Sequence, residues 1–486
     1  MIEIQLAGAG AGKTYGMAEK ILQQFDPKSH KLIFAITYTN KATENIAEAI
    51  IDQLGYLPET IKVCTVHTFL LNEVIYPYSP VMLDQVYTTS SRCSLTFVSR
   101  DGETKTRTQL QRERGSIIAR LKAKQVVHVE EVYAVARKIL DPNHSTNRPR
   151  AKKAKVAYIH DILKSSINKI FLDEAQDLDK TAIQALDAVG KNVVDIYMVG
   201  DPKQAIKFPD AFREYVAVNE NEDHVNVLPN NNESRRVPQR ILNVSNLFCP
   251  AGQEQTSLSD VEGELHYVLS TDQGYDEFLN SHINSDSLVS IYRKEGNYST
   301  KDSESLPYLQ PDINELLIQH NPKIDEDLVL GAAIHWLDEN IGTNTDNQVS
   351  SDFLTKFKIP YSGKSYAQLR SSINDYKSAN ANSAQYHISS IDRTKGLEAE
   401  SCVIILNKAI YKFLVRDRLR AADRHNTTWN KVYVALTRSL SNVILVVDEQ
   451  VCNDRPLDEI TSKLEDLGFS RLNLNNGQEL QELEEA

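Results

Sequence analysis

Three groups of residues in this chain have the types and spacing that chemistry at a phosphate anhydride requires. The first is AGAGAGKT, Ala7 to Thr14. Gly8, Gly10 and Gly12, set between Ala7, Ala9 and Ala11, lack Cβ atoms, so backbone N–H groups can close around phosphate oxygens. A helix starting behind the loop adds its partial positive charge. Lys13 then reaches the β- and γ-phosphates, and the Thr14 hydroxyl holds Mg²⁺. The second group is DEAQD, Asp173 to Asp177. Asp173 would orient the metal, and Glu174 would take a proton from an attacking water. The third is GDPKQAIKF, Gly200 to Phe208, where Gln204 is placed to sense a γ-phosphate. A glycine-rich turn without ligand, or an acid-rich helix start, explains one group at a time but not all three.

The surrounding elements must position these groups. Ile2, Ile4 and Leu6 alternate with polar residues and predict a strand, and Tyr15 to Phe25 predicts a helix. Strand, loop and helix in that order are the setting of a phosphate-binding loop. Further strands are expected at Lys31–Ile36, Ile61–Val66, Ile167–Leu172 and Val194–Val199, with a helix at Thr43–Leu54. Later strands are expected at Leu288–Tyr292, Gln385–Ile391, Cys402–Leu406 and Asn442–Val447. Strands alternating with helices predict an α/β fold with parallel sheets. Ligands in such sheets sit at the carboxyl ends of strands, where Thr37, Thr39 and His67 fall.

With 486 residues the chain can hold about two to four domains. The net charge is −12, so nucleic acid, if bound, must find a local basic patch. One exists: between Arg92 and Lys155 there are 16 Lys or Arg against 6 Asp or Glu. Arg112, Arg114, Arg120, Lys122 and Lys124 lie in a helical stretch, Gln109 to Lys124, and RPRAKKAK spans Arg148 to Lys155. A phosphate backbone is the natural partner of such a segment; a solvated basic helix is the alternative. Lys301 to Asn380 has the opposite balance, 12 acids against 7 bases, and reads as a separate insertion. The five cysteines show neither metal-ligand spacing nor a disulfide framework, as in a reducing cytoplasm. Neither a signal pattern nor a membrane-length apolar run is present, so a cytoplasmic protein without membrane contact is expected.

Taken together, AGAGAGKT, TYTNKA (Thr37–Ala42), TVHTF (Thr65–Phe69), DEAQD, GDPKQ, the Arg236 region, RTKGLE (Arg393–Glu398) and YVALTRS (Tyr433–Ser439) resemble the motifs of the UvrD, PcrA and Rep type of superfamily 1A DNA helicases. They recur in family order over most of the chain. The resemblance implies two RecA-like domains that clamp ATP and Mg²⁺ between them, each with an insertion. Residues 1–84 and 156–236 would be the first core and 85–155 its basic insertion. Residues 237–300 and 381–450 would be the second core, 301–380 its acidic insertion and 451–486 a tail. Lys13, Thr14, Asp173, Glu174 and Gln204 would face nucleotide from the first core. Arg235, Arg236, Glu398 and Arg438 would approach from the linker and second core, Arg438 as the arginine that stabilises transition-state charge. Tyr38, Thr39, Asn40, Thr65, His67 and Phe208 would touch single-stranded DNA, with 3′-to-5′ movement.

The chain also departs from that pattern. Six residues precede Ala7, too few for the family's usual adenine-reading glutamine motif. Arg235 stands where a base-stacking tyrosine is usual, and Asp392 where a histidine is common. Lys207, Phe208, Pro209 and Asp210 replace a more aromatic platform, and both insertions are short. A second expectation therefore stands beside the motor. It is a DNA-end or nucleotide sensor that controls a partner nuclease, similar to the compact helicases of the Gabija antiphage system. A metabolic P-loop kinase would leave the basic segment and Arg438 without roles.

Overall fold

The structure is a computed structural model, and it describes residues 1–92, 95, 106–293, 295–300, 309, 311–322, 326–380 and 385–474. Portions of both expected insertions, and residues 475–486 of the expected tail, lie outside the described residues. The chain divides into two compact units, one of Met1–Val86, Glu130–Arg293 and Ile388–Ala486, the other of Tyr87–Val129 and Lys294–His387.

The first unit holds the first sheet and most of the second sheet of the expected α/β fold. In the first sheet β1 (Ile2–Leu6), β2 (Leu32–Thr37), β3 (Ile61–Thr65), β4 (Ile167–Leu172), β5 (Asp195–Gly200) and β6 (Val225–Val227) are ordered β3-β2-β4-β5-β1-β6. All of its pairings are parallel. β2 and β5 each bury five of six residues, as parallel strands covered on both faces must. Helix α1 (Lys13–Gln24) turns Met17, Ala18 and Ile21 onto this sheet. Burying Met17 and Ile21 contributes about 1.5–3 kcal/mol each. The helix starts two residues before the expected Tyr15, so Lys13 and Thr14 are its first residues.

The second sheet contains β7 (Glu264–Leu269), β8 (Leu288–Ile291), β9 (Tyr298–Thr300), β10 (Tyr386–Ser390), β11 (Ala399–Leu406), β12 (Ser439–Val447) and β13 (Ser470–Arg471). Its order is β9-β10-β8-β11-β12-β7-β13, parallel from β10 across to β13. Two parallel sheets, each layered with helices, are the expected two RecA-like domains.

The segment 85–155 was expected to be one insertion, but the structure divides it. Only Tyr87–Val129 joins the second unit, and Glu130 onward packs with the first. The reason is apolar patterning. Helix Val132–Leu140 buries Val132, Tyr133, Val135, Ala136, Ile139 and Leu140. The basic run, expected as part of the insertion, opens helix α3 (Arg150–Ser166), which is anchored by Val156, Ile159 and Leu163.

The second unit brings the two expected insertions together. Helix α2 (Arg107–Ala123), capped by a Thr106–Gln109 capping box, carries the basic residues. Helices Pro311–His320, Glu326–Asn340, Asp346–Lys356 and Gly363–Asn380 bury Ile313, Leu317, Leu337, Phe353 and Leu369 in a common core. Arg120 lies 3.7 Å from Asp312, and Lys124 lies 3.1 Å from Glu315. These pairs are solvent-exposed and contribute about 0–1 kcal/mol each. No described helix is long and apolar enough to cross a membrane.

Candidate nucleotide site

The loop between β1 and α1 lies at the carboxyl end of its sheet, as sites in such folds do. Its outer side is held by the chain that links the two sheets. The Ala7 N–H donates to the Gly200 carbonyl at 3.1 Å, and the Gly8 N–H to that of Asn231 at 3.0 Å. Asn231 returns its side-chain amide to the Ala11 carbonyl at 3.0 Å, and the Arg235 N–H donates to the Gly10 carbonyl at 3.0 Å. The glycines do not share one task. Gly12, at φ 69°, has open space where a Cβ would stand, which suits a ligand. A Cβ on Gly8 would lie 2.2 Å from Cδ of Gln255, so Gly8 admits a side chain and not a phosphate.

Lys13 and Thr14 begin α1, where the first N–H groups have no partner within the helix. Lys13 is half-buried and donates to the Gly8 carbonyl at 3.1 Å. Burial lowers its pKa, opposed by the charges of Asp201, Glu174 and Asp173. The Thr14 hydroxyl donates to Oδ2 of Asp173 at 3.0 Å. Burial, reinforced by the Glu174 charge, pushes Asp173 up to about 6. A cation bound between Thr14 and Asp173 would restore the carboxylate. Among the described residues no cluster of three or more His, Cys, Asp or Glu could hold a metal by itself. One hydroxyl and one carboxylate fit Mg²⁺, which keeps waters and takes its remaining oxygens from phosphates.

Glu174 has φ 54°, left-handed for a residue that seldom adopts it, and this turns its side chain back toward the site. Gln176 donates to its Oε2. Burial opposes its charge, but Lys395 and Lys13 outweigh that and hold its pKa below the ordinary carboxylate value. Lys395 belongs to RTKGLE and was not singled out from sequence. Its Nζ lies 3.7 Å from Glu174 and pairs also with Asp177.

Gln204 is buried behind β5. Its Nε2 donates to Oδ2 of Asp201 at 3.0 Å, and its Oε1 accepts from Nη2 of Arg438 at 3.3 Å. Arg438 ends the turn after helix α4 (Thr427–Leu436) and is buried, with the Glu174 charge near it but no carboxylate at ion-pair distance among the described residues. Burial first, then the Arg236 charge, pulls it down to about 10. Arg236 donates to Oε2 of Glu398 at 2.8 Å and to the Thr437 carbonyl at 3.1 Å. Among the described residues its buried Nε has no hydrogen-bond partner, an orphan that a ligand oxygen could satisfy. Arg235 is exposed. Thus Lys13, Thr14, Asp173, Glu174, Gln204, Arg236, Glu398 and Arg438 converge on the loop, and Arg235 reaches its rim.

Three further buried residues belong to this centre: Asp201 and Tyr433, which lie inside GDPKQ and YVALTRS but carry no role expected from sequence, and Gln255, which lies outside every motif. Asp201 is fully enclosed, with Nζ of Lys203 at 3.1 Å. Burial opposes its charge, yet Lys203, Lys13 and the Gln204 hydrogen bond keep its pKa low.

The residues expected to meet DNA lie at the ends of β2 and β3 and after β5. Thr39 and Thr65 cap helix starts with their side chains. Nδ1 of His67 lies 3.2 Å from the Tyr133 hydroxyl, a partner that no motif indicates. Nζ of Lys207 sits 4.8 Å from the centre of the Tyr38 ring. Asn40 and Phe208 are exposed.

The family described as AAA domain matches residues 2–209. Among curated proteins no match is found. The match covers the loop, DEAQD and Gln204, and with the loop geometry it makes this part of the chain a nucleotide-binding P-loop NTPase domain.

Proposed function

We propose that the protein is an ATP-dependent motor on single-stranded DNA, moving 3′ to 5′, with Mg²⁺ held by Thr14, Asp173 and the nucleotide phosphates. The observation that carries this reading is the approach of Arg438 to Gln204 beside the loop. An arginine from one sheet domain that meets the γ-phosphate position of the other couples hydrolysis to domain closure. The domain type matched over residues 2–209 occurs in UvrD- and Rep-like helicases, which supports the reading. At the strand ends half-buried Tyr38 and exposed Thr39, Asn40 and Phe208 supply ring faces and polar groups that would bind a strand without regard to sequence. The test is ATP hydrolysis with and without single-stranded DNA, followed by displacement of duplexes with a 3′ or a 5′ tail. Equal hydrolysis with and without DNA would remove the motor.

One observation favours the sensor reading. Arg120 and Lys124 of the basic helix face Asp312 and Glu315, so part of that helix's charge is neutralised within the protein. On this reading the ATPase cycle controls a partner nuclease in antiphage defence and unwinds little by itself. DNA-stimulated hydrolysis without displacement of long duplexes is its signature.

A further inference from the structure

Gln255 is buried, and its side-chain amide grips both polar groups of one loop residue. Nε2 donates to the Ala9 carbonyl at 2.8 Å, and Oε1 accepts from the Ala9 N–H at 3.1 Å. The Tyr433 hydroxyl lies 2.5 Å from the same Oε1 and 3.1 Å from Oδ2 of Asp201, and the Ala9 N–H reaches it at 3.3 Å. Burial and the Asp201 charge raise the Tyr433 pKa well above its ordinary value, so the hydroxyl remains a donor. Ala9 itself packs with the hydrophobic cluster of the second sheet, beside Val237, Trp429 and Tyr433.

These contacts tie the phosphate loop to α4. Tyr433 stands on that helix, five positions before Arg438, and Nε of Arg438 bonds back to its Val434 carbonyl at 3.1 Å. Asp201 joins the same tie to Gln204, whose amide it orients. With both Ala9 groups engaged, that peptide is not part of the phosphate cradle. It is the point where the second domain holds the loop.

We infer that Gln255 and Tyr433 are positioning residues that set the reach of Arg438 toward nucleotide bound in the loop. The inference rests on the reading of Arg438 as the arginine that completes the site. A loop displaced by incoming phosphates pulls on Ala9. The pull passes through Gln255 and Tyr433 to α4, and so to Arg438. A loss of this tie leaves the phosphate cradle from Gly10 to Thr14 in place and misplaces the arginine, which at about 1 Å can cost on the order of a hundredfold in rate.

The experiment uses the full chain and ATP hydrolysis without DNA, so that it does not depend on motor activity. Gln255→Leu and Tyr433→Phe keep volume and remove hydrogen bonds. Each should lower kcat about ten- to a hundredfold. Affinity for a non-hydrolysable ATP analogue should stay within about threefold, a binding difference of ~0.7 kcal/mol. On an Arg438→Ala background Gln255→Leu should cost nothing more, because residues that act as a unit are not additive. Wild-type kcat in both variants, a loss of analogue affinity as large as the loss of kcat, or a full additive loss on the Arg438→Ala background overturns the inference. An Arg438→Ala protein with normal turnover overturns instead the reading on which it rests.

Discussion

Nη2 of Arg438 donates to Oε1 of Gln204 at 3.3 Å, joining two buried side chains that lie 234 residues apart. The acceptor oxygen faces the arginine because Asp201 holds the amide nitrogen. The amide nitrogen carries a second hydrogen, so Gln204 can donate to a γ-phosphate while Asp201 holds it in orientation. The resting pair therefore presents Gln204 already aligned to the arginine.

Removing single members of the site should separate binding from turnover. Lys13→Ala should abolish hydrolysis. Glu174→Gln should retain nucleotide and stop turnover, because the water loses its base. Arg438→Ala should reduce kcat about 10³-fold or more. Equilibrium binding of a fluorescent ATP analogue beside steady-state kinetics distinguishes the three.

Lys395 should govern the acid limb of the pH–rate profile. Glu174 is kept ionised chiefly by Lys395, against burial that favours the neutral acid. In the wild type the base therefore loses its charge only below the ordinary carboxylate range. Lys395→Met leaves burial unopposed by that charge, so protonation should begin at higher pH and activity should fall sooner on acidification. Profiles of kcat/KM from about pH 3 to 8, at saturating Mg²⁺ so that Asp173 stays ionised, measure the shift. Superimposable acid limbs in the two proteins would show that Lys395 serves only the Asp177 pair.

Salt dependence should separate the cations that meet DNA from those used within the protein. Arg112 is exposed on α2, and Arg150, Lys153 and Lys155 are exposed on α3. Neutralising either set should weaken binding regardless of sequence and reduce the salt slope by about one unit per lost phosphate contact. Neutralising Arg120 and Lys124 should change the slope less, since Asp312 and Glu315 already face them. Fluorescence anisotropy with a labelled strand at several salt concentrations reads both. Unchanged slopes for α2 and α3 would make them solvated surface.

Nucleotide choice should be loose. The phosphate-side residues Lys13, Thr14, Asp173 and Arg236 are blind to the base, and exposed Arg235 can stack on any purine. A site without hydrogen bonds to base edges cannot penalise the wrong base. ATP, dATP and GTP should be hydrolysed with kcat/KM values within about tenfold, a gap of ~1.4 kcal/mol. A hundredfold preference for ATP would reveal a base-reading segment elsewhere.

Both sheets were legible because parallel strands are continuous apolar runs, and the loops after them carry the reactive types. LIFAI and VILVV could hardly be anything else. Helix starts were misread by two or three residues where Thr39 or the loop itself sets the boundary. Helix Val132–Leu140 was missed because the surrounding cations drew attention from its apolar face. Gln255 could not have been found. An amide in a polar loop has no pattern of its own, and its task exists only because a glycine distant in sequence leaves room for it. Lys395 stood inside a quoted motif, but its partners, Glu174 and Asp177, come from the other sheet. The pairing of α2 with helix Pro311–His320 depends on contacts across roughly two hundred residues, which local patterning cannot encode.

The second unit is assembled from two distant stretches, and this has a consequence during synthesis. The first sheet can close once Val225–Val227 has left the ribosome. Tyr87–Val129 emerges before that but must wait for Lys294–His387. At about 5–20 residues per second that wait is on the order of ten to fifty seconds. Throughout it α2 carries Arg120 and Lys124 without Asp312 and Glu315 opposite them. A nascent chain halted in this interval carries both a closed first sheet and an uncompensated cationic helix, a species that the finished protein never displays.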